Sequence, residues 1–173
     1  MPHTFICDAM LGRLAKNLRF FGFDTLYVGE LEKERRSRDP NAEERPLEDK
    51  EILDIAIQTK RIILTKDDQF AARDTERVIL IEGKTVRDQF AFLKNDFGLS
   101  FNFDQANSRC YKCNEILVNV PKSSVEGRVN ENTFAAFDNF WECQKCKKLF
   151  WLGSHFRQDN GLLSKFDGIR DDS

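Results

Sequence analysis

Apolar residues follow one rhythm over roughly the first hundred positions and another beyond them. A short apolar run, residues 4–7, ends at Asp8. Behind it Leu11, Leu14, Ala15, Leu18 and Phe21 recur at the spacing of a helix with one buried face, which Gly22 stops. Residues 25–28 predict a second strand, so strand, helix and strand follow in the order of a parallel βαβ unit. Ile52, Leu53, Ala56 and Ile57 share one face of a helix over 47–59, and 61–65 (RIILT) is a strand apolar enough to be central. A short helix or turn over 67–73 and a fourth strand over 78–81 come next. Thr85 is then the N-cap of a helix, with Asp88 three residues on, Val86, Phe90, Leu93 and Phe97 on its face and Gly98 at its end. This alternation predicts a doubly wound α/β layer; in the strand order 2-1-3-4 the first and third strands lie side by side.

Two segments break the pattern. Residues 30–45 carry eleven Glu, Asp, Arg and Lys and almost no apolar residue, which predicts a solvated loop, with contact to a partner as the alternative. Residues 99–106 read as a linker or an edge strand. From Ser108 onward the chain offers cysteine pairs, short apolar runs and the turn formers Pro121, Gly127 and Asn130. The expected organisation is an α/β domain over 1–106, a small β-rich unit over 107–160 and a tail over 161–173.

With 173 residues, 40% of them hydrophobic and 16 of them Phe, the chain can bury one full core plus a small appendage. No apolar run is long enough to span a bilayer, and the N-terminus lacks the basic and apolar regions of a signal peptide. The expectation is a cytoplasmic protein without membrane contact. A net charge of −2 excludes bulk electrostatic coating of nucleic acid but leaves room for a local phosphate-binding patch. Residues 1–104 carry a net −3 and residues 105–173 a net +1, so the basic excess lies in the second unit.

In an open parallel sheet, ligands sit beyond the carboxyl ends of the strands, where successive connections diverge. Asp8 follows the first strand and Asp67 the third. Asp49, in the first turn of the helix before the third strand, shares the face of Leu53 and Ala56 and points toward the same rim. Three carboxylates there would repel one another without a divalent cation, and hard oxygen donors select Mg²⁺ or Mn²⁺. Such an ion over a phosphodiester can activate water and stabilise the charge that develops on the phosphate. The same three residues are also favoured at helix starts, and spacing alone does not separate the two readings. Arg13, in the first helical turn after Asp8, either meets a phosphate at this rim or is ordinary surface.

Of five cysteines, Cys7 in the first strand reads as a small buried hydrophobe. The others form Cys110-Tyr-Lys-Cys113 and Cys143-Gln-Lys-Cys146, two knuckles able to supply the four thiolates of a closed, structural Zn²⁺ site. A redox role is the rival, but neither pair opens a helix after a strand. Around the second knuckle Lys145, Lys147, Lys148, Trp151 and His155 interleave cations with aromatic rings, a pattern suited to phosphate contact and base stacking. Alternatively Trp151 belongs to the small core of the ribbon, and His155 can stack, exchange a proton or simply pack.

The segments CDAMLGRLAKNLRFFGFDTLY, EDKEILDIA, ILTKDD, RCYKCNEIL and FWECQKCKKLFWLGSHF, in this order, resemble the RNase domain found at the C-terminus of Mut-seven-type exonucleases and as stand-alone prokaryotic proteins. The resemblance spans roughly residues 5–157. It implies a PIN-like (Rossmannoid) α/β fold followed by a zinc ribbon, and a metal-dependent ribonuclease with RNA as its partner. Asp8, Asp49 and Asp67 match the acidic positions of such sites, and Cys110, Cys113, Cys143 and Cys146 the ribbon ligands. The chain departs from the pattern in the length of residues 30–45, in Lys66 where Arg is expected, and in Lys147 where a Gly follows the second knuckle. The alternative from another class is a non-catalytic RNA-binding or RNP-assembly module. A toxin held by an antitoxin is less attractive, since minimal toxins of this fold need no second domain.

Overall fold

Residues 3–39 and 45–152 are described by a computed structural model of the chain. Strand β1 (Phe5–Cys7) ends at Asp8, a 3₁₀ turn spans Ala9–Leu11, and α1 (Gly12–Phe20) leads to β2 (Thr25–Tyr27). Helices α2 (Val28–Arg38) and α3 (Asp49–Thr59) precede β3 (Ile62–Thr65), and α4 (Asp68–Ala71), β4 (Val78–Leu80) and α5 (Val86–Phe97) follow it. The four strands form one parallel sheet in the expected order β2-β1-β3-β4, with Cys7 opposite both Tyr27 and Leu64. Alternation along β1 divides the core. Phe5 and Cys7 pack with Leu14, Leu18, Phe90 and Leu93 under α1 and α5, whereas Ile6 packs with Ile52, Ala56, Ile63 and Phe70 under α3 and α4. The connections leaving β1 and β3 therefore lie on opposite faces, and the crevice between their carboxyl ends is the switch point of the sheet. Cys7 is fully buried, and burial raises its thiol pKa, as suits an inert core residue.

Helix α5 has the expected ends: Thr85 and Asp88 form a reciprocal capping box, and Gly98 closes it in the left-handed conformation. Three other expectations need correction. Residues 28–38 form a helix rather than a loop. Its residues are good helix formers, but only Val28 is buried, so the segment lacks the apolar stripe by which a helix is read from sequence. Polar contacts hold it instead: Glu30 pairs with Arg19, Glu32 accepts the Leu47 N–H at 3.0 Å, and Arg35 lies 3.7 Å from Glu51. Ile57 is 48% exposed, because α3 meets the sheet along the Ile52–Ala56 line and Ile57 falls beyond it. Residues 99–106 contain no strand and are not a free linker. Phe101 is fully buried against the rings of Phe21, Phe23 and Phe90, and Phe103 stacks on Phe20 at 4.4 Å.

Beyond residue 107 a second sheet, antiparallel in the order β5-β6-β7, is built from β5 (Leu117–Val120), β6 (Phe140–Cys143) and β7 (Leu149–Phe150). A 3₁₀ turn (Lys122–Ser124) and α6 (Glu131–Ala136) fill the long β5–β6 connection. Its first turn is bolted to the α/β layer by polar contacts. The Arg109 N–H donates to the Arg19 carbonyl (2.9 Å), the Ser108 hydroxyl to the Phe20 carbonyl (2.8 Å), and Arg109 Nε to the Gly22 carbonyl (3.1 Å). At the start of edge strand β2, the Asn114 carboxamide accepts the Thr25 N–H (3.0 Å) and donates to Asp24 (2.6 Å).

Asp24 is also bonded to both Nη atoms of Arg61, at 2.7 and 2.9 Å. Partial burial works against the charge, but the bonds from Arg61 and Asn114 prevail and hold its carboxyl below the usual range. A lowered folded-state pKa contributes stability above the unfolded value, about 3.9, that is lost as the pH falls through the folded one. Thermal unfolding followed against pH should therefore show Asp24→Asn below wild type at neutral pH, with the gap narrowing under about pH 4. A gap constant down to pH 2 would contradict this account.

Candidate functional site

At the switch point the last residue of β3, Thr65, is fully buried and its hydroxyl joins the two strand-end acids. It donates to Asp8 Oδ2 (2.7 Å) and accepts the Asp67 N–H (3.0 Å). Asp8 Oδ1 takes the Ala9 N–H at 2.6 Å, capping the 3₁₀ turn, and Asp67 Oδ1 takes the Gln69 and Phe70 N–H groups, capping α4. Capping and rim-facing roles thus coexist, because each carboxylate has more lone pairs than its cap consumes. Asp67 is exposed, and its Oδ2 has no hydrogen-bond partner among the described residues.

Asp49 stands apart. It opens α3 directly after the N-cap Glu48, and its Oδ2 lies 3.2 Å from Arg73 Nε. Among the described residues, the four knuckle cysteines are the one group of three or more Cys, His, Asp or Glu ligand atoms all within 4.8 Å of one another. The three acids are accordingly not gathered into a compact cage. Lys66 donates to the Gly83 carbonyl, beyond the end of β4.

Sequence reasoning missed Thr65, for which the only signal is its place directly before Lys-Asp-Asp at a strand end. It also missed Tyr27, whose hydroxyl donates to the Ala9 carbonyl at 2.9 Å. The Tyr27 ring lies so close to the first turn of α1 that a Cβ on Gly12 would come within 2.9 Å of it, which explains a glycine there.

An open groove of about 900 Å³ runs between the first turns of α1 and α5, its wall beginning at Met10, two residues past Asp8. Arg13, Lys16, Lys84 and Arg87 line it and no carboxylate does, in a chain whose net charge is negative. These cations, with the positive dipole ends of α1 and α5, make this the surface most suited to a phosphate chain near Asp8. Arg13 is exposed here, as expected. Lys84 and Arg87 were legible only as neighbours of the Thr85 cap.

The second centre is the cysteine cluster. Cys110 Sγ and Cys146 Sγ are 3.8 Å apart, and all four cysteines are free of disulfides. Metal–sulfur bonds of about 2.3 Å in a tetrahedron require a sulfur–sulfur edge of about 3.8 Å, so the donor set fits zinc in both chemistry and spacing. Burial raises the Cys110 thiol to about 11 and the Cys113 thiol to about 12. Burial opposes ionisation of Cys146 too, but the Lys148 N–H and its three neighbouring thiols bring it down to about 7. Lys147 keeps the knuckle turn that a Gly usually makes, in the left-handed conformation at φ 59°, where a side chain costs about 1 kcal/mol. Elemental analysis is expected to give one zinc per chain. Stripping it with a strong chelator should abolish the near-ultraviolet signal of Trp141 while leaving the parallel sheet largely folded, since structural zinc supplies most of the folding energy of such small units.

Around the second knuckle, Lys147 and Lys148 line one depression with Arg128 and Trp151, while Lys145 lines another. Lys145 borders the Asp24–Asn114 contact, Lys147 Nζ bonds Gln144 at 3.1 Å, and Lys148 Nζ sits 4.7 Å over the Tyr111 ring. Trp151 is half-buried, 6.3 Å from the Phe140 ring. His155 and the tail over 161–173 lie outside the described residues. No described helix is long and apolar enough to cross a membrane.

A family model described as Mut7-C RNAse domain matches residues 3–163. No curated protein and no solved structure matches the chain.

Proposed function

The chain belongs to the Mut7-C RNAse domain family, and on that premise we propose that it is a metal-dependent ribonuclease that hydrolyses RNA phosphodiester bonds at the Asp8–Asp67 rim. In this reading residues 1–106 form a PIN-like nuclease unit and residues 107–160 a zinc ribbon that assists RNA binding, in a cytoplasmic protein. The supporting observation is the placement of Asp8 and Asp67 at adjacent strand ends, where one buried hydroxyl bonds the Asp8 carboxylate and the Asp67 backbone N–H. Their oxygens suit Mg²⁺ or Mn²⁺, which commonly binds through one or two carboxylates plus substrate phosphate. When bound, the ion supplies an activated water and neutralises developing negative charge. Thr65 fixes the orientation of Asp8, and Arg13 and Lys84 draw the phosphate chain into the groove.

Asp49 completes the rim or orients water once it leaves Arg73, and that exposed pair resists by no more than about 1 kcal/mol. Purified protein incubated with RNA and Mn²⁺ or Mg²⁺ should cleave it, EDTA should stop cleavage, and Asp8→Asn should be nearly inert. Equal cleavage by wild type and variant would sink the assignment. The separation of Asp49 from the other acids favours one second reading, a non-catalytic RNA-binding or RNP-assembly module. It predicts RNA affinity that survives EDTA, with no cleavage in any metal.

A further inference from the structure

Between α1 and the second sheet lies a separate slot of about 270 Å³, almost wholly apolar, whose walls are aromatic. On the α/β side Phe20 and Phe103 are stacked with ring planes 13° apart, and on the other side Tyr111 meets Phe150 edge-on at 5.9 Å, next to Trp141 and Trp151. Polar atoms are few on its walls. The Gln105 carboxamide makes no hydrogen bond among the described residues, and Asn17 spends its Nδ2 on the Arg13 carbonyl and leaves its Oδ1 open. Lys16 and Arg109 are its cations, and no carboxylate lines it.

Lys16 and Asn17 also line the basic groove that runs past Asp8, so the two depressions meet on one face of α1. From Arg13 to Phe20 is seven residues, roughly 10 Å along the helix. A single strand whose phosphate lies beside Arg13 therefore passes Lys16 and reaches the slot with a neighbouring nucleotide. Flat apolar walls and unpaired amide groups suit a nucleobase, which has two faces to stack and an edge to hydrogen-bond, while the flanking cations suit its phosphates.

We propose that the slot is a nucleobase subsite for single-stranded RNA, seating a base displaced from the scissile phosphate by a short stretch of chain. The inference rests on the ribonuclease reading and adds that the protein grips unpaired rather than duplex RNA, since a base inside a duplex cannot enter. A base stacks against the Phe20–Phe103 pair on one side and Tyr111 with Trp141 on the other, with Gln105 at its edge. The second sheet thus contributes substrate contacts through its rings, and the knuckle lysines are secondary.

Both tryptophans of the chain line the slot, so it reports its own occupancy. Intrinsic fluorescence of the zinc-loaded full-length protein, in buffer without added Mg²⁺ or Mn²⁺, titrated with a short uridine or adenosine oligonucleotide, should be quenched. An abasic ribose-phosphate chain of equal length should bind more weakly and quench little. Tyr111→Ala should weaken oligonucleotide binding roughly 5- to 100-fold with the salt dependence unchanged, and Tyr111→Phe should restore it. Gln105→Ala, which removes no packing ring, should reduce discrimination between the two oligonucleotides. Lys16→Ala should lower the salt slope instead. Normal cleavage of RNA with tryptophan emission unaltered, or equal quenching by the abasic chain, would overturn the subsite alone and leave the slot to a protein segment. Absence of any RNA binding or cleavage would overturn the ribonuclease reading with it.

Discussion

Arg19→Met should lower the unfolding free energy by about 3 kcal/mol, read as a shift of the urea midpoint at unchanged slope. Arg19 is 1% exposed, and hydrogen bonds meet its buried donors. Its Nε donates to the Thr25 carbonyl at 2.8 Å, Nη1 to Glu30 (3.0 Å) and to the Tyr111 carbonyl (2.7 Å), and Nη2 to Glu30 at 2.6 Å. One guanidinium thus ties α1 to the edge strand, to α2 and to the first zinc knuckle. Methionine keeps the volume of the stem but removes every donor, leaving two carbonyls and a carboxylate short of partners in a poorly hydrated place. Glu30 keeps about a third of its surface in water, which holds the cost at the low end of the range for broken buried pairs. Arg19→Lys should recover only part of the loss, because a point charge cannot serve partners in three directions. A midpoint unmoved by Arg19→Met would show that solvent replaces these bonds.

On activity the largest effect belongs to Asp8. Asp8→Asn is expected to reduce RNA cleavage by about 10²–10³-fold, the loss typical when one electrostatic element of a charge-stabilising site is removed. Stability should change by less than about 1 kcal/mol, since Asn caps as well as Asp and can still take the Ala9 N–H. Asp67→Asn should match it. Thr65→Val, which keeps the shape and deletes the hydroxyl between the two acids, should fall in between at about 10–100-fold, as for groups that orient a metal ligand. Asp49→Asn should cost least, because Arg73 already compensates its charge. Initial rates in Mn²⁺ for the four variants provide the comparison. An Asp49 effect as large as that of Asp8 would mean that the Arg73 pair opens whenever RNA binds.

Legibility followed the range of the physical signal. The strands themselves, the strand-end positions of Asp8 and Asp67, the Thr85–Asp88 box and the four cysteines were all written locally, in period, cap chemistry or spacing; the strand order was not. Helix α2 was not, because polar contacts to Arg19, Leu47 and Glu51 replace the apolar stripe by which helices are recognised. Residues 99–106 were misread because Phe101 and Phe103 alternate with polar residues as an edge strand would, while their partners are rings far earlier in the chain. No spacing marks Arg19 for burial, and what buries it includes a carbonyl 92 residues away. Thr65 is an ordinary strand residue until the neighbouring strand brings Asp8 alongside. The separation of Asp49 depends on Arg73, whose reach no spacing rule encodes.

The Arg19–Tyr111 bond also imposes an order in time. Every strand and helix of the parallel sheet has been synthesised by residue 97, but the carbonyl that completes the Arg19 shell and the Asn114 amide that closes the start of β2 come later. On the ribosome the sheet therefore stands with a buried guanidinium one partner short until the first knuckle emerges, and its final rigidity waits for that segment. If the four cysteines hold zinc, loss of the ion would reach the amino-terminal part of the chain as well, through partners borrowed from the first knuckle.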